Sequence, residues 1–135
     1  MPRRSSRDVP SEVVPAGTAT TRKVLIGPDE GPNFALRKFI MEPGGGMPLH
    51  VNTVEHEQYV LRGRAEVTIG EEVLEVKKDD VVFIPGGVPH SYRAVGDEPF
   101  EFLCVVPNLP DETTILATPA DDEEGLVVPE DELGC

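Results

Sequence analysis

From Arg22 onward, short apolar runs alternate with turn-forming clusters at close and regular spacing. The spacing predicts strands over Lys23–Ile26, Phe34–Met41, Leu49–Asn52, Glu57–Leu61, Ala65–Ile69, Val73–Val76, Val81–Ile84, His90–Val95 and Phe100–Val106. The turn signals between them include GPDEGPN, EPGGGMP, KKDD, IPGGVP and GDEP. The runs Ala65–Ile69 and Val73–Val76, separated by Gly70-Glu71-Glu72, read as a hairpin. No segment keeps a helical period, and no internal repeat is visible. Nine short strands in a stretch of this length predict an all-β single domain, closed or double-sheeted like a jelly roll.

Residues two apart on a strand point the same way. His50 and Asn52 therefore share a face, as do His90, Tyr92 and Ala94. In the run Phe100–Val106, Glu101 is the residue most costly to bury. Turning it outward sends Phe100, Phe102, Cys104 and Val106 inward, and leaves Leu103 and Val105 on an apolar outer face. Phe102, Cys104 and Tyr92 are the expected pocket residues. Tyr59 and Tyr92 read as core or interface aromatics rather than catalytic acids, and Glu55 and Glu57 as solvated residues pointing away from His56.

Composition narrows the class. A chain of 135 residues is expected to make one domain. Its 14 prolines, 13 glycines and lack of tryptophan suit short strands and tight turns. The two cysteines, Cys104 and Cys135, are no disulfide framework, and the N-terminal residues have no apolar run that would make a signal peptide. A cytoplasmic setting is expected. Nine of the 25 acidic residues fall in residues 111–135, which carry no base. The expected division is a flexible lead over 1–20, a barrel over 21–110 and a mobile acidic tail over 111–135. The net charge of −13 argues against nucleic acid or an anionic membrane as partner.

The chemistry concentrates in the histidines. There are three, His50, His56 and His90, each within or next to an expected strand, where a small β-barrel would need them to grip one metal ion. Neutral imidazole is the commonest metal ligand near neutral pH, so three converging on one barrel interior predict a metal site. With every histidine committed, no Ser-His-Asp arrangement remains, and catalytic residues beyond the ligands stay unassigned. The glycines 44–46 lack the Lys-Ser/Thr ending of a phosphate loop and are expected to turn the chain before His50.

These residues resemble the two motifs of the cupin superfamily, the RmlC-like double-stranded β-helix. The first, G-x5-H-x-H-x3,4-E-x6-G, is matched by Gly44, His50, Asn52, His56 and Gly63; the second, G-x5-P-x-G-x2-H-x3-N, by Asp79, Pro85, Gly87, His90 and Ala94. Over roughly residues 22–108 the chain is similar to small single-domain manganese cupins with an all-histidine site. That resemblance implies His50, His56 and His90 as ligands to one divalent transition metal, Mn or Fe before Ni, Cu or Zn. The fourth position is Asn52. Its amide oxygen would either ligate the ion or hold a metal-bound water, or the substitution leaves the site degenerate. The resemblance also implies a homodimer acting on a small molecule, with oxygenase-type chemistry as the leading expectation. A metal-stabilised binding or sensing module and a metal-assisted sugar-acid isomerase or lyase are the alternatives.

Overall fold

The computed structural model describes residues 2–116 and the backbone of 126–128. It is built almost entirely of strands: β1 (Glu12–Val13), β2 (Thr18–Ile26), β3 (Phe34–Asn52), β4 (His56–Arg62), β5 (Arg64–Ile69), β6 (Glu72–Lys77), β7 (Val81–Ile84), β8 (His90–Val95), β9 (Phe100–Pro107), β10 (Thr113–Ile115) and β11 (Leu126–Val128). A single 3-10 turn, Ser6–Asp8, is the helical segment among the described residues. No helix there is long and apolar enough to cross a membrane.

The long strand β3 organises the molecule. Its first half pairs with β2 on one side and β9 on the other, and β9 continues through β4 to β7. Its second half pairs with β8, which continues through β5 to β6, and with β10. One strand thus joins the two wings of a single eleven-stranded sheet that curls on itself, in keeping with the jelly roll that the alternating pattern predicts.

The strand boundaries correct one expectation. Residues 44–46 do not separate two strands; β3 runs through them, with Gly44 at φ +82° bending the chain. Gly46 lies so close to β8 that a Cβ there would sit 2.0 Å from the Tyr92 carbonyl oxygen. Glycine here permits close backbone contact where β3 passes from its β2 and β9 partners to β8. Elements also occupy parts of both segments expected to be flexible. β1 and the start of β2 fall within residues 1–20, and β10 lies beyond residue 110. Each is short and polar, and each is held by pairing with a neighbouring strand rather than by its own pattern. Cys135 lies outside the described residues.

Inside the barrel, Phe102 is the centre of an aromatic cluster. Phe39 stacks on it at 5.3 Å between centroids, Tyr92 stacks at 5.4 Å, and Phe100 meets it tilted at 5.3 Å. Met41, Val60, Ala65, Val67 and Ala94 close round this cluster. Alternation on β9 works as read: Phe100, Phe102 and Cys104 are buried, while Glu101 bridges Lys38 at 3.3 Å and Arg62 at 3.5 Å on the outside.

Candidate metal centre

Three strands bring four polar side chains to one end of this interior. His50 and Asn52 end β3, His56 opens β4 and His90 opens β8. His50 is paired directly with His90 in the β3–β8 ladder, which sets their ring centroids 4.2 Å apart. His56 and His90 are 5.7 Å apart, and Tyr92 meets His90 edge-on. All three imidazoles and Asn52 are buried to 1% exposure or less.

The hydrogen bonds define which ring atoms are available. His50 Nδ1 is 2.7 Å from the Pro48 carbonyl oxygen, and His90 Nδ1 is 3.0 Å from that of Val88. A carbonyl can only accept, so each Nδ1 carries the proton and each Nε2 keeps its lone pair. His56 Nδ1 lies 3.4 Å from Cys104 Sγ. Asn52 Nδ2 donates to Thr113 Oγ1 at 2.6 Å and to Asp111 Oδ2 at 3.4 Å, which fixes the amide with Oδ1 on the other side. Among the described residues, Asn52 Oδ1 and His56 Nε2 are buried with no hydrogen-bond partner. Each such group costs about 1–3 kcal/mol unless something fills its valence.

The loop between β3 and β4 is pinned in a manner that holds these side chains in register. Asp111 Oδ1 accepts from Thr53 N and Thr53 Oγ1, both at 2.9 Å, and from Val54 N at 3.3 Å. Gly87 N donates to the Asn52 carbonyl at 2.8 Å, and a Cβ at Gly86 would lie 2.4 Å from the Thr53 carbonyl oxygen. The β7–β8 turn that presents His90 is thereby clamped to the loop between Asn52 and His56.

Imidazole nitrogens and a neutral amide oxygen are donors suited to divalent first-row metals. A protonated Nδ1 bonded to a carbonyl is also how ligating histidines are usually oriented. The fit is incomplete in one respect. Among the described residues no three His, Cys, Asp or Glu side chains already stand as a closed ligand set.

Of the expected pocket residues, Phe102 and Cys104 are fully buried and Tyr92 is 3% exposed, in the core beneath the histidines. A cavity of about 890 Å³ has other walls, including Val24, Ala35, Arg37, Val54 and Val106. Glu55 is exposed and Glu57 half-buried, both off the histidine face. Partial burial, and then the Glu55 carboxyl beside it, push the Glu57 carboxyl up to about 7. Thr113, Asp111, Gln58 and Arg37 were not foreseen. Only Asn52 itself, a buried amide needing partners, hinted that something would reach across to it.

The family model described as a cupin domain matches residues 37–106. The chain is 36% identical over 110 residues to a protein of Rhodospirillum rubrum named 1-methylthio-D-xylulose 5-phosphate methylsulfurylase, covering 77% of this chain and 70% of that one. Among solved structures it is similar to the polyketide cyclase RemF of Streptomyces resistomycificus, with TM-score 0.75, 33% identity, and coverage of 82% and 83% of the two chains. A cupin-2 domain protein of Rhodospirillum rubrum superposes with TM-score 0.70 at 34% identity, covering 84% of this chain and 75% of that one.

Proposed function

This chain belongs to the cupin domain family, and from that premise we propose that it is a mononuclear metal-binding enzyme of oxygenase type acting on a small organic substrate. The observation that carries the reading is the anchoring of His50 and His90 through Nδ1 to the Pro48 and Val88 carbonyls. It leaves two imidazole nitrogens basic at the buried end where His56 Nε2 and Asn52 Oδ1 also lie. His50, His56 and His90 would hold the ion, Mn or Fe by preference, and Asn52 Oδ1 would complete the set. A bound ion of this kind supplies Lewis-acid polarisation and one-electron chemistry toward O₂.

The chain's own residues do the rest. Thr113 and Asp111 hold the Asn52 amide so that its oxygen, not its nitrogen, is presented. Cys104 orients His56, and the aromatic cluster around Phe102 excludes water from below. Because the donors are neutral, the ion's charge would remain uncompensated and favour an anionic or enolisable substrate. The relative named for a methylthioxylulose phosphate favours a second reading, a metal-assisted rearrangement or elimination that needs no O₂. A homodimer is proposed on the outer face, where Tyr59, Val81 and Phe83 are exposed on paired strands.

The test is metal content by mass spectrometry on untagged protein, wild type against His56→Ala. Near one Mn or Fe per chain, lost in the variant, is expected. Wild-type protein that stays empty when offered Mn, Fe, Ni, Cu and Zn sinks the reading. Oxygen uptake against anaerobic turnover then separates the two chemistries.

A further inference from the structure

We propose that residues 110–116 are a gate on the histidine end: latched by Asp111, the segment leaves β3 while the barrel stays folded, and so sets how fast solutes reach the buried imidazoles. The inference concerns access to the site proposed above, and rests on that reading only for the identity of what binds there.

Strand β10 is a wall of the histidine end. Thr113 is paired with Asn52, and Ile115 with His50. Residues directly opposed across a ladder share a face, so Thr113 and Ile115 stand beside the two site residues of β3. Thr113 is 2% exposed, and its Oγ1 accepts from Asn52 Nδ2 at 2.6 Å. Across the opposite edge of β3, His50 is paired with His90 of β8. His50 thus sits between β8 and β10.

What holds the segment is mainly polar. Asp111 Oδ1 accepts from Thr53 N, Thr53 Oγ1 and Val54 N, and Oδ2 accepts from Asn52 Nδ2. Glu112 N donates to Thr53 Oγ1 at 3.0 Å, and Leu116 N to the Leu49 carbonyl at 2.8 Å. When a segment opens, bonds of this kind are exchanged for bonds to water, so each adds little net stability. The apolar core does not include the segment. The buried cluster runs from Val14 to Cys104, the partly buried residues packed against it end at Val106, and Ile115 and Leu116 are only half-buried. On its far edge β10 pairs with β11, which among the described strands pairs with β10 alone. A three-residue strand outside the core, tied by bonds that water can replace, opens at a lower free energy than the barrel unfolds.

The latch touches two spaces. Pro110, Asp111 and Val54 border the 890 Å³ cavity, and Asp111 also holds Asn52 at the histidine end. Its release frees the Thr53–Val54 backbone and the amide together, and opens a way from the cavity toward the imidazoles.

The experiment follows the metal-free full chain by hydrogen exchange and by carbethoxylation of its histidines with diethyl pyrocarbonate, both read by peptide mass spectrometry. Wild-type amides of residues 111–116 should exchange at least about 100-fold faster than those of β4 and β9. Asp111→Ala should speed modification of His50 and His56 by about tenfold, with exchange in β4 and β9 unchanged. Val51→Cys with Thr114→Cys, in a Cys135→Ser background, sets a crosslink between paired residues that point away from the site. It should slow modification by about tenfold, and a reductant should restore the rate. The proposal is overturned if residues 111–116 exchange no faster than β4 and β9, or if the crosslink leaves modification unchanged. It is overturned equally if Asp111→Ala leaves modification unchanged, or speeds it only in step with exchange in β4 and β9. If Asp111→Ala fails to fold, Asp111→Asn and the crosslink decide. These readouts need no metal, so a site that stays empty sinks the enzyme reading and leaves this one to its own test. Where metal binds, its release into a chelator should follow the same order of variants, and release indifferent to the crosslink overturns the gate.

Discussion

The two ends of the barrel interior are built on the same strands and yet have opposite chemistry. Along the inner face of β4 the residues run His56, Gln58, Val60; along β8 they run His90, Tyr92, Ala94. Within four residues each strand passes from imidazole to aliphatic. The apolar end is closed by Phe39 and Phe100, each packed on Phe102, where every added neighbour stabilises. At the polar end, side chains are buried at a cost, and Asn52 Oδ1 and His56 Nε2 have no hydrogen-bond partner among the described residues. One end holds the barrel together. The other keeps costly polar groups buried, at the expense of the stability the first supplies.

The largest effect should come from breaking the apolar end. Phe102→Ala removes the ring on which Phe39 and Tyr92 stack, and chemical denaturation should report a loss of about 3–5 kcal/mol. At the polar end the ranking reverses. His56→Ala should cost the metal-free protein less than about 2 kcal/mol, while equilibrium dialysis finds metal affinity down more than about 100-fold. Equal stability losses in the two variants would erase the distinction between the ends.

The seam is sharper still. Gln58 Nε2 donates to Tyr92 Oη at 2.7 Å, joining the polar end to the aromatic cluster. Gln58→Leu should destabilise by about 1–2 kcal/mol, because it leaves a buried hydroxyl without that donor. Adding Tyr92→Phe should recover part of the loss, and a double-mutant cycle with no coupling would count against the bond. Thr113→Val takes away the nearer anchor of the Asn52 amide. About 1 kcal/mol of stability and about tenfold in metal affinity should go with it.

The smallest effect lies outside the barrel. Tyr59 Oη donates to Asp79 Oδ1 at 2.9 Å, and this bond, with the carboxylate's charge, raises the phenol above its ordinary value near 10. The bond is made by the protonated phenol, so its contribution is fully present below pH 10 and is lost as pH rises through the elevated value. Phenolate absorbance should show the Tyr59 transition moving down toward 10 in Asp79→Asn, with little change at the histidine end.

Much of the scaffold was legible in the chain. Val81–Ile84 and His90–Val95 occur at the bounds that alternation predicts, and the hairpin of β5 and β6 forms across its Gly70 turn. In His90–Val95 the buried residues His90, Tyr92 and Ala94 alternate with more exposed ones, whereas Val81–Ile84 turns the apolar Val81 and Phe83 outward. The pattern fails where both faces are apolar. In Phe34–Met41 the inward residues are Ala35, Arg37, Phe39 and Met41, while Phe34 remains 60% exposed and Leu36 lies outside. Polarity alone would never have turned Arg37 inward. Strand β10 escaped notice because three residues in an acidic stretch have too short a period to read.

The sequence by itself determined that this chain is all-β, where most strands begin and end, and that its three histidines stand at strand ends. Local alternation and turn chemistry suffice for that, since both act over a few residues. Tertiary structure alone decided that β3 joins the two wings of one curled sheet, that His50 stands opposite His90, and that Arg37 reaches the sulfur beside His56. It also decided that Thr113, 61 residues away, holds the amide of Asn52. Those facts depend on which distant strands pair and at what register, and no short window of sequence carries that information.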